Sequence, residues 1–196
     1  MKIRTIACTI ACTIACSLAV ALTACSKLNA THGVTTVAPA QILDTVANQG
    51  KGFAVGSSST TVVYALFDPS CGHCAHLWQA SKALRNVNFV WIPVSIMRPH
   101  GRSTRQGAAL LTSSKAAELM DSHESSILAG TGGLSADNGT PESEAAIEAN
   151  TKMFTDIGLY GVPFIVAKHA KSGEVITNAG AMTSEALATW LGVDGM

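Results

Sequence analysis

The chain has 196 residues, of which 47% are hydrophobic, and it carries 13 basic and 13 acidic side chains. This even balance argues against a nucleic-acid-binding protein, because such proteins concentrate basic residues on one surface. The length suits one globular domain with a substantial core and is short for two.

The first 24 residues are predicted to form a secretory leader. Lys2 and Arg4 precede an uncharged apolar run of the length that signal peptides have. The run ends in the letters LTAC at Cys25, which resembles the lipobox of bacterial lipoproteins. That resemblance implies cleavage before Cys25 and lipid on its sulfur and amine, and several acyl chains together bind a membrane durably. An uncleaved transmembrane helix is the competing interpretation.

Further expectations depend on this leader. A lipid-anchored protein exported in this way would work in the periplasm, and Ser26 after the lipid cysteine resembles sorting to the outer membrane. Loss of Lys2 and Arg4 leaves 11 basic against 13 acidic side chains, a formal charge of −2 that again disfavours a nucleic-acid partner. Residues 25–39 are predicted to be a flexible tether before one domain at 40–196.

The domain shows alternating helix and strand signals, which indicate an α/β fold. A helix is predicted at 40–48 and a short strand at 53–55. A β-branched and aromatic run at 61–67 is typical of a buried strand. The later patterns predict a helix at 75–84 with cysteines in its first turn, a strand at 88–94, a helix at 103–125, a loop at 130–139, a helix from Thr140 to Gly158, strands at 164–167 and 174–177, and a closing helix at 184–191.

Only two cysteines remain once Cys25 and the three within the leader are set aside, and both belong to the stretch CGHC at 71–74. Backbone N–H groups at a helix start favour an anion, so the Cys71 thiol is expected to ionise readily. Cys74 lies one turn further along the same face and is expected to be more buried. These positions predict that Cys71 attacks a disulfide and Cys74 resolves the mixed disulfide. His73 would add positive charge near the thiolate and make the disulfide more oxidising.

Other chemistries for the pair fit less well. A structural disulfide closing a four-residue ring would restrict little of the unfolded chain. Structural zinc needs a second ligand pair, and covalent haem needs a histidine directly after the second cysteine, where this chain has Ala75. No metal or other cofactor is therefore expected, since the cysteine pair itself carries the electrons. Copper delivery is the alternative, with possible soft or imidazole ligands at Cys71, Cys74, His73, His76, Met97 and His100.

Several motifs together resemble the catalytic domain of the DsbC/DsbG thiol-disulfide interchange family. They are FDPSCGHC at 67–74, Trp-Gln in the next helical turn, GVPF at 161–164 and NAG at 178–180. The resemblance implies a thioredoxin fold, with a central mixed sheet, flanking helices and a helical insertion at about 101–158. It also implies that Pro163 is a cis proline against the cysteine pair and that Val162 offers backbone hydrogen bonds to a bound peptide.

The sequence departs from that family in three respects. Only 45 residues separate Cys25 from Cys71, so the N-terminal dimerisation domain is absent and a monomer is expected. Val162 precedes the proline, as in DsbA-like oxidases, where isomerases more often have threonine. Gly72 and His73 between the cysteines match eukaryotic protein disulfide isomerase. Cysteine-containing client proteins and a partner dithiol protein are expected, and the redox direction stays open among isomerase, oxidase and reductase.

Overall fold

The computed structural model of the chain describes residues 37–57, 61–135 and 139–194. Most of the predicted leader and tether, including Cys25, lies outside these residues. The elements follow in the order α1 (Pro39–Gln49), β1 (Phe53–Gly56), β2 (Val62–Phe67), α2 (Gly72–Ser81), β3 (Asn88–Pro93), α3 (Arg102–Thr112), α4 (Ala116–Leu128), α5 (Pro141–Asp156), β4 (Phe164–Lys168), β5 (Val175–Ala179) and α6 (Ser184–Leu191).

The five strands form one mixed sheet in the order β1-β3-β2-β4-β5. β2 and β3 run parallel, while β1 pairs with β3, β4 with β2, and β5 with β4 in antiparallel fashion. Pro93 has no N–H to donate within a sheet, and such a residue is usually found on an edge strand or at the end of a strand. It lies at the end of interior strand β3, opposite Phe67, where the missing N–H costs no hydrogen bond within the sheet.

Side chains alternate between the two faces of the central strand, and each face is covered by helices. Val63, Ala65 and Phe67 of β2 belong to a buried cluster with residues of α2 and α6. Leu66 belongs to a second cluster with residues of α1 and α5. The near-continuous hydrophobic run of β2 follows from this, because a strand buried on both faces needs apolar side chains on both.

The predicted helical insertion lies between β3 and β4 and consists of α3, α4 and α5. The prediction of one continuous helix at 103–125 is wrong in its middle. The backbone of Ser113 is extended, and its hydroxyl accepts a hydrogen bond from the Lys115 N–H at 3.1 Å. A serine side chain that bonds nearby backbone competes with helical hydrogen bonding, so α3 ends at Thr112 and α4 begins at Ala116.

The helix predicted from Thr140 is confirmed. The Thr140 hydroxyl accepts from the Ser143 N–H, and the Ser143 hydroxyl accepts from the Thr140 N–H, which forms a reciprocal capping box in front of α5. None of the helices within residues 37–57, 61–135 and 139–194 combines the length and apolarity that spanning a membrane would require.

Candidate active site

The topology brings the cysteine pair and the Val162-Pro163 segment together. α2 begins shortly after the carboxyl end of β2, and β4 runs antiparallel to β2 with Leu66 opposite Phe164. The segment just before β4 therefore lies beside the start of α2. The Val162-Pro163 peptide bond is cis, as the resemblance implied, and the Val162 carbonyl oxygen lies 3.7 Å from Cys71 Sγ.

Cys71 is the N-cap residue of α2, and its carbonyl accepts hydrogen bonds from the N–H groups of Cys74 and Ala75 at 3.0 and 3.2 Å. The Cys74 thiol donates to Cys71, and this bond lowers the pKa of Cys71 to about 6 against the opposing effect of burial. The backbone N–H groups of Cys74 and His73 lower it further, whereas the Asp68 carboxylate raises it. Cys71 is thus placed to be mostly a thiolate at neutral pH.

Cys74 has the opposite tendency. Burial, and then its hydrogen bond to Cys71 and the charge of that thiolate, raise the pKa of Cys74 well above its usual range. Cys74 is 0% exposed and Cys71 5%, so Cys74 is the more buried of the two, as predicted, whereas Cys71 is itself buried and not exposed as its attacking role suggested. The two are free thiols in this structure. The arrangement suits one attacking sulfur and one that stays protonated until it is needed.

The two residues between the cysteines face solvent. A side chain at Gly72 would meet open space, so packing does not require glycine there. The imidazole of His73 is exposed, and its contribution to the pKa of Cys71 comes from the backbone N–H. The charge predicted for His73 is therefore not among the causes that lower the Cys71 pKa in this structure.

Asp68 is a buried carboxylate that organises the loops around the cysteines. It accepts hydrogen bonds from the backbone N–H groups of Ser70, Ile96 and Met97, each at 2.8 Å, and from the Ser103 hydroxyl at 2.7 Å. These donors come from the loop before α2, the loop after β3 and the first turn of α3. Its position three residues before Cys71 would by itself suggest only a charge near a helix N-terminus, whereas the side chain joins three segments.

His123 of α4 joins the insertion to the loop before Cys71. Its Nδ1 accepts the Leu134 N–H at 3.1 Å, so the ring proton is on Nε2, which donates to the Pro69 carbonyl at 2.7 Å. Burial lowers the pKa of His123, which favours this neutral form. Gly133 makes the fit possible, because a Cβ at that residue would lie 2.5 Å from the ring.

Glu124, the next residue, is also 0% exposed, and neither carboxyl oxygen has a hydrogen-bond partner among the described residues. Burial, and then the charges of Cys71 and Asp68, raise the pKa of Glu124 to about 9. The side chain is therefore a neutral carboxylic acid at physiological pH.

Two large apolar side chains are exposed on segments that border the cysteines. Tyr160, 79% exposed, precedes the Val162-Pro163 segment, and Met97, 55% exposed, follows β3 in the loop bound to Asp68.

Of the proposed copper ligands, Cys71 and Cys74 lie together. No three His, Cys, Asp or Glu side chains in the described ranges are grouped so as to hold a metal ion. His76 is exposed on α2, and His100 bonds Glu148 of α5 at 3.0 Å.

The sequence interpretation missed His123 and Glu124. Both lie in a segment that reads as an ordinary amphipathic helix. One signal was available: Glu124 stands four residues after Met120, so on a helix the two share a face, and an acidic residue on an apolar face is unusual.

No protein-family model matches the sequence, and no curated protein matches it. Solved structures are similar in fold. A linker-deletion variant of ScsC from Proteus mirabilis matches with a TM-score of 0.59 at 13% identity, over 79% of this chain and 82% of that one. A disulfide interchange protein from Neisseria gonorrhoeae matches with a TM-score of 0.54 at 19% identity, over 72% and 93%.

A periplasmic thioredoxin-like protein from Salmonella enterica serovar Typhimurium matches with a TM-score of 0.56 at 16% identity, over 77% of this chain and 94% of that one. With its mixed five-stranded sheet, flanking helices and a helical insertion before the cis proline, the chain has the thioredoxin-like fold.

Proposed function

We propose that the chain is an extracytoplasmic thiol-disulfide oxidoreductase that acts on cysteine-containing proteins. The observation that carries the proposal is the separation of two pKa values within one CxxC pair: that of Cys71 is lowered to about 6 and that of Cys74 is raised. In thiol-disulfide exchange the thiolate attacks, and a neighbouring thiol that stays protonated does not compete with it.

The reaction follows from this asymmetry. The Cys71 thiolate attacks a disulfide sulfur of the client and forms a mixed disulfide, with the second client sulfur leaving as a thiolate. Cys74 then loses its proton and attacks Cys71 Sγ, which releases the reduced client and leaves a Cys71–Cys74 disulfide. A partner dithiol protein restores the thiols, or in the opposite direction a partner oxidant maintains the disulfide. Gly72 and His73 form the solvent-facing turn, and the backbone at Val162 and Pro163 binds the client segment.

The setting of the reaction is part of the proposal. The leader motif supports a periplasmic protein anchored by lipid at Cys25, with the outer membrane favoured by Ser26. The likeness in fold to a periplasmic thioredoxin-like protein supports the same compartment. We propose a monomer of the DsbC/DsbG type.

An equilibrium redox titration tests the function. The purified full chain is equilibrated in glutathione buffers, and free thiols are counted by mass tagging. We expect one reversible two-electron transition. A reduction potential of about −180 mV or higher would favour an isomerase or oxidase, and a reduction potential of about −270 mV would favour a reductase.

Two cysteine variants complete this test. C74S should trap a mixed disulfide with a disulfide-bonded client peptide, whereas C71S should not, because only Cys71 is a ready nucleophile. The matched control H76A alters an exposed side chain on the same helix and should behave as wild type. The absence of any reversible transition in the wild-type chain would contradict the proposal.

A further inference from the structure

Glu124 is a buried acid that the exchange steps above do not use. Native proteins seldom leave a buried carboxyl without a hydrogen-bond partner, so such a group calls for a physical explanation. Burial without a partner costs free energy, and an apolar residue of similar size would avoid that cost. The position of Glu124 relative to the cysteines supplies an explanation.

Two hydrogen bonds show how α4 lies against α2. Asp121 accepts from Trp78 Nε1 at 2.8 Å, and His123 donates to the Pro69 carbonyl at 2.7 Å. Trp78 lies within α2, and Pro69 lies before that helix. The step from Asp121 to His123, towards the C-terminus of α4, therefore corresponds to a step from Trp78 to Pro69, towards the N-terminus of α2. The two helices therefore run antiparallel.

This direction places Glu124 level with the cysteines. Cys74 lies one turn before Trp78 on α2, and Glu124 lies about one turn after Asp121 on α4, so antiparallel packing puts the two at the same level, each on the side of its helix that carries the Trp78–Asp121 bond. Met120, one turn before Glu124, belongs to the same buried cluster as Cys74.

The charges around Glu124 agree with this placement. The groups that face it are Cys71 and Cys74 of α2 and Asp68 of the preceding loop, and the charge of Glu124 contributes in turn to the raised pKa of Cys74. Its neighbour His123 has both ring nitrogens bonded to backbone groups and offers Glu124 no proton.

We propose that Glu124, supplied by the helical insertion, exchanges a proton with the Cys74 thiol when the Cys71–Cys74 disulfide closes and opens. The inference rests on the proposed thiol-disulfide function and names a proton-exchanging group for it.

The closing step balances as follows. Once the mixed disulfide has formed and Cys71 Sγ is bonded to the client sulfur, Glu124 releases its own proton to solvent, and the resulting carboxylate takes the proton from Cys74. The Cys74 thiolate attacks Cys71 Sγ, and the bond to the client breaks. The client sulfur leaves as a thiolate with both electrons of that bond, so the client is reduced and the cysteine pair is oxidised. In the opening step, Glu124 returns the proton to Cys74 as that sulfur leaves.

The charge of Cys71 determines the stage at which Glu124 can accept this proton. While Cys71 is a thiolate, its charge helps to hold the pKa of Glu124 up at about 9. Forming the mixed disulfide removes that charge, so the carboxyl ionises more readily at the stage when Cys74 must lose its proton. Burial still favours the neutral acid, and the carboxylate is therefore a strong base towards a facing thiol.

Stopped-flow kinetics with a chromogenic aromatic disulfide separate the two sulfurs. The reduced protein, with its leader removed and Cys25 lipidated, releases one coloured thiolate when Cys71 attacks, at a rate that depends on reagent concentration. It releases a second coloured thiolate when Cys74 resolves the mixed disulfide, at a rate that does not depend on reagent concentration.

In E124Q we expect the second phase to slow about 100-fold at pH 7 while the first changes less than about twofold. In the wild type the second-phase rate should level off once Glu124 is ionised in the mixed disulfide, whereas in E124Q it should keep rising with pH. E124D should restore the plateau at an intermediate rate. The control E118Q removes an exposed acid that pairs with Lys115 on the same helix, and both phases should persist.

Glutamine has the shape of the protonated acid, so E124Q should fold, and thermal unfolding checks this. A wild-type second phase in folded E124Q would overturn the inference. If E124Q does not fold, E124D provides the test. Loss of the pH plateau in this variant, which retains a carboxylate, would also overturn the inference. Absence of the second phase from the wild-type chain would count against the proposed function itself.

Discussion

The two sulfurs of the candidate active site are one helical turn apart, yet their surroundings separate their proton affinities. Cys71 ends a strand-to-helix loop and receives hydrogen bonds from a thiol and two backbone N–H groups. Cys74 is enclosed by the core and donates to its neighbour. The largest single cause of the lowered pKa of Cys71 is the hydrogen bond from Cys74, and the largest cause of the raised pKa of Cys74 is burial.

Replacement of Cys74 should therefore raise the pKa of Cys71. C74A removes the thiol that donates to the thiolate, and the midpoint of Cys71 ionisation should move from about 6 towards 9. Each pH unit of that shift corresponds to about 1.4 kcal/mol less stabilisation of the thiolate. C74S keeps a donor and should shift less. Ultraviolet absorbance of the thiolate against pH measures the midpoint, and equal midpoints in wild type and C74A would refute this cause.

At the level of helices and strands, the insertion is attached to the active-site loop as well as to the sheet. Trp78 of α2 bonds Asp121 of α4, and His123 of α4 bonds the loop before Cys71. Gln106 of α3 donates to the carbonyls of Gly132 and Leu134 at 2.9 Å, which holds the loop that closes over the histidine. The insertion therefore forms one side of the candidate active site.

The variant H123A should loosen this attachment. It leaves the Pro69 carbonyl and the Leu134 N–H without their partner and opens a cavity, so the free energy of unfolding should fall by about 2–4 kcal/mol. The control S122A changes an exposed neighbour on α4 and should stay within about 0.5 kcal/mol of wild type. Urea unfolding at pH 8 compares them, and equal stability of H123A and S122A would contradict the role.

The same contact predicts acid sensitivity. Burial lowers the pKa of folded His123 below the unfolded value, so its contribution to stability is present above about pH 6.5 and is lost as the pH falls. H123Q retains a donor and an acceptor without titrating. The fall in stability below that pH should therefore be smaller in H123Q than in wild type.

For the whole molecule, redox state and stability are linked through pH. In the reduced protein the pKa of Cys71 is about 6 when folded, against 9.0 for an ordinary cysteine thiol, so the folded state holds fewer protons between these values and gains stability as the pH rises. The oxidised protein has no such thiol. Glu124 acts in the opposite sense, since its raised pKa of about 9 makes stability fall as the pH rises from 4.5.

The free energy of unfolding of the reduced protein, taken relative to that of the oxidised protein, should therefore increase as the pH rises above 6. We expect a slope of up to about 1.4 kcal/mol per pH unit in favour of the reduced form, measured in E124Q so that the opposing carboxyl is removed. Denaturant unfolding of both forms across this range provides the measurement. Parallel stability curves would show that the Cys71 thiolate is not stabilised by folding.

Local patterns by themselves determined much of this protein. The hydrophobic run of β2, the Asp-Pro-Ser break and the CGHC stretch are contiguous, so strand, loop and helix start could be read in order. The start of α5 could also be read from the local sequence, because its threonine cap and the proline that follows lie within one turn. The cis peptide at Pro163 followed from the family resemblance rather than from any local preference.

Only the tertiary structure decided what surrounds the two sulfurs. His123 and Glu124 lie about 50 residues beyond Cys71 and reach the site because α4 packs antiparallel on α2. A helical pattern shows that a helix has a buried face but not which element covers it. The same limit explains why Asp68 read as a helix-end charge: its partners at Ile96, Met97 and Ser103 come from segments that only the fold brings together.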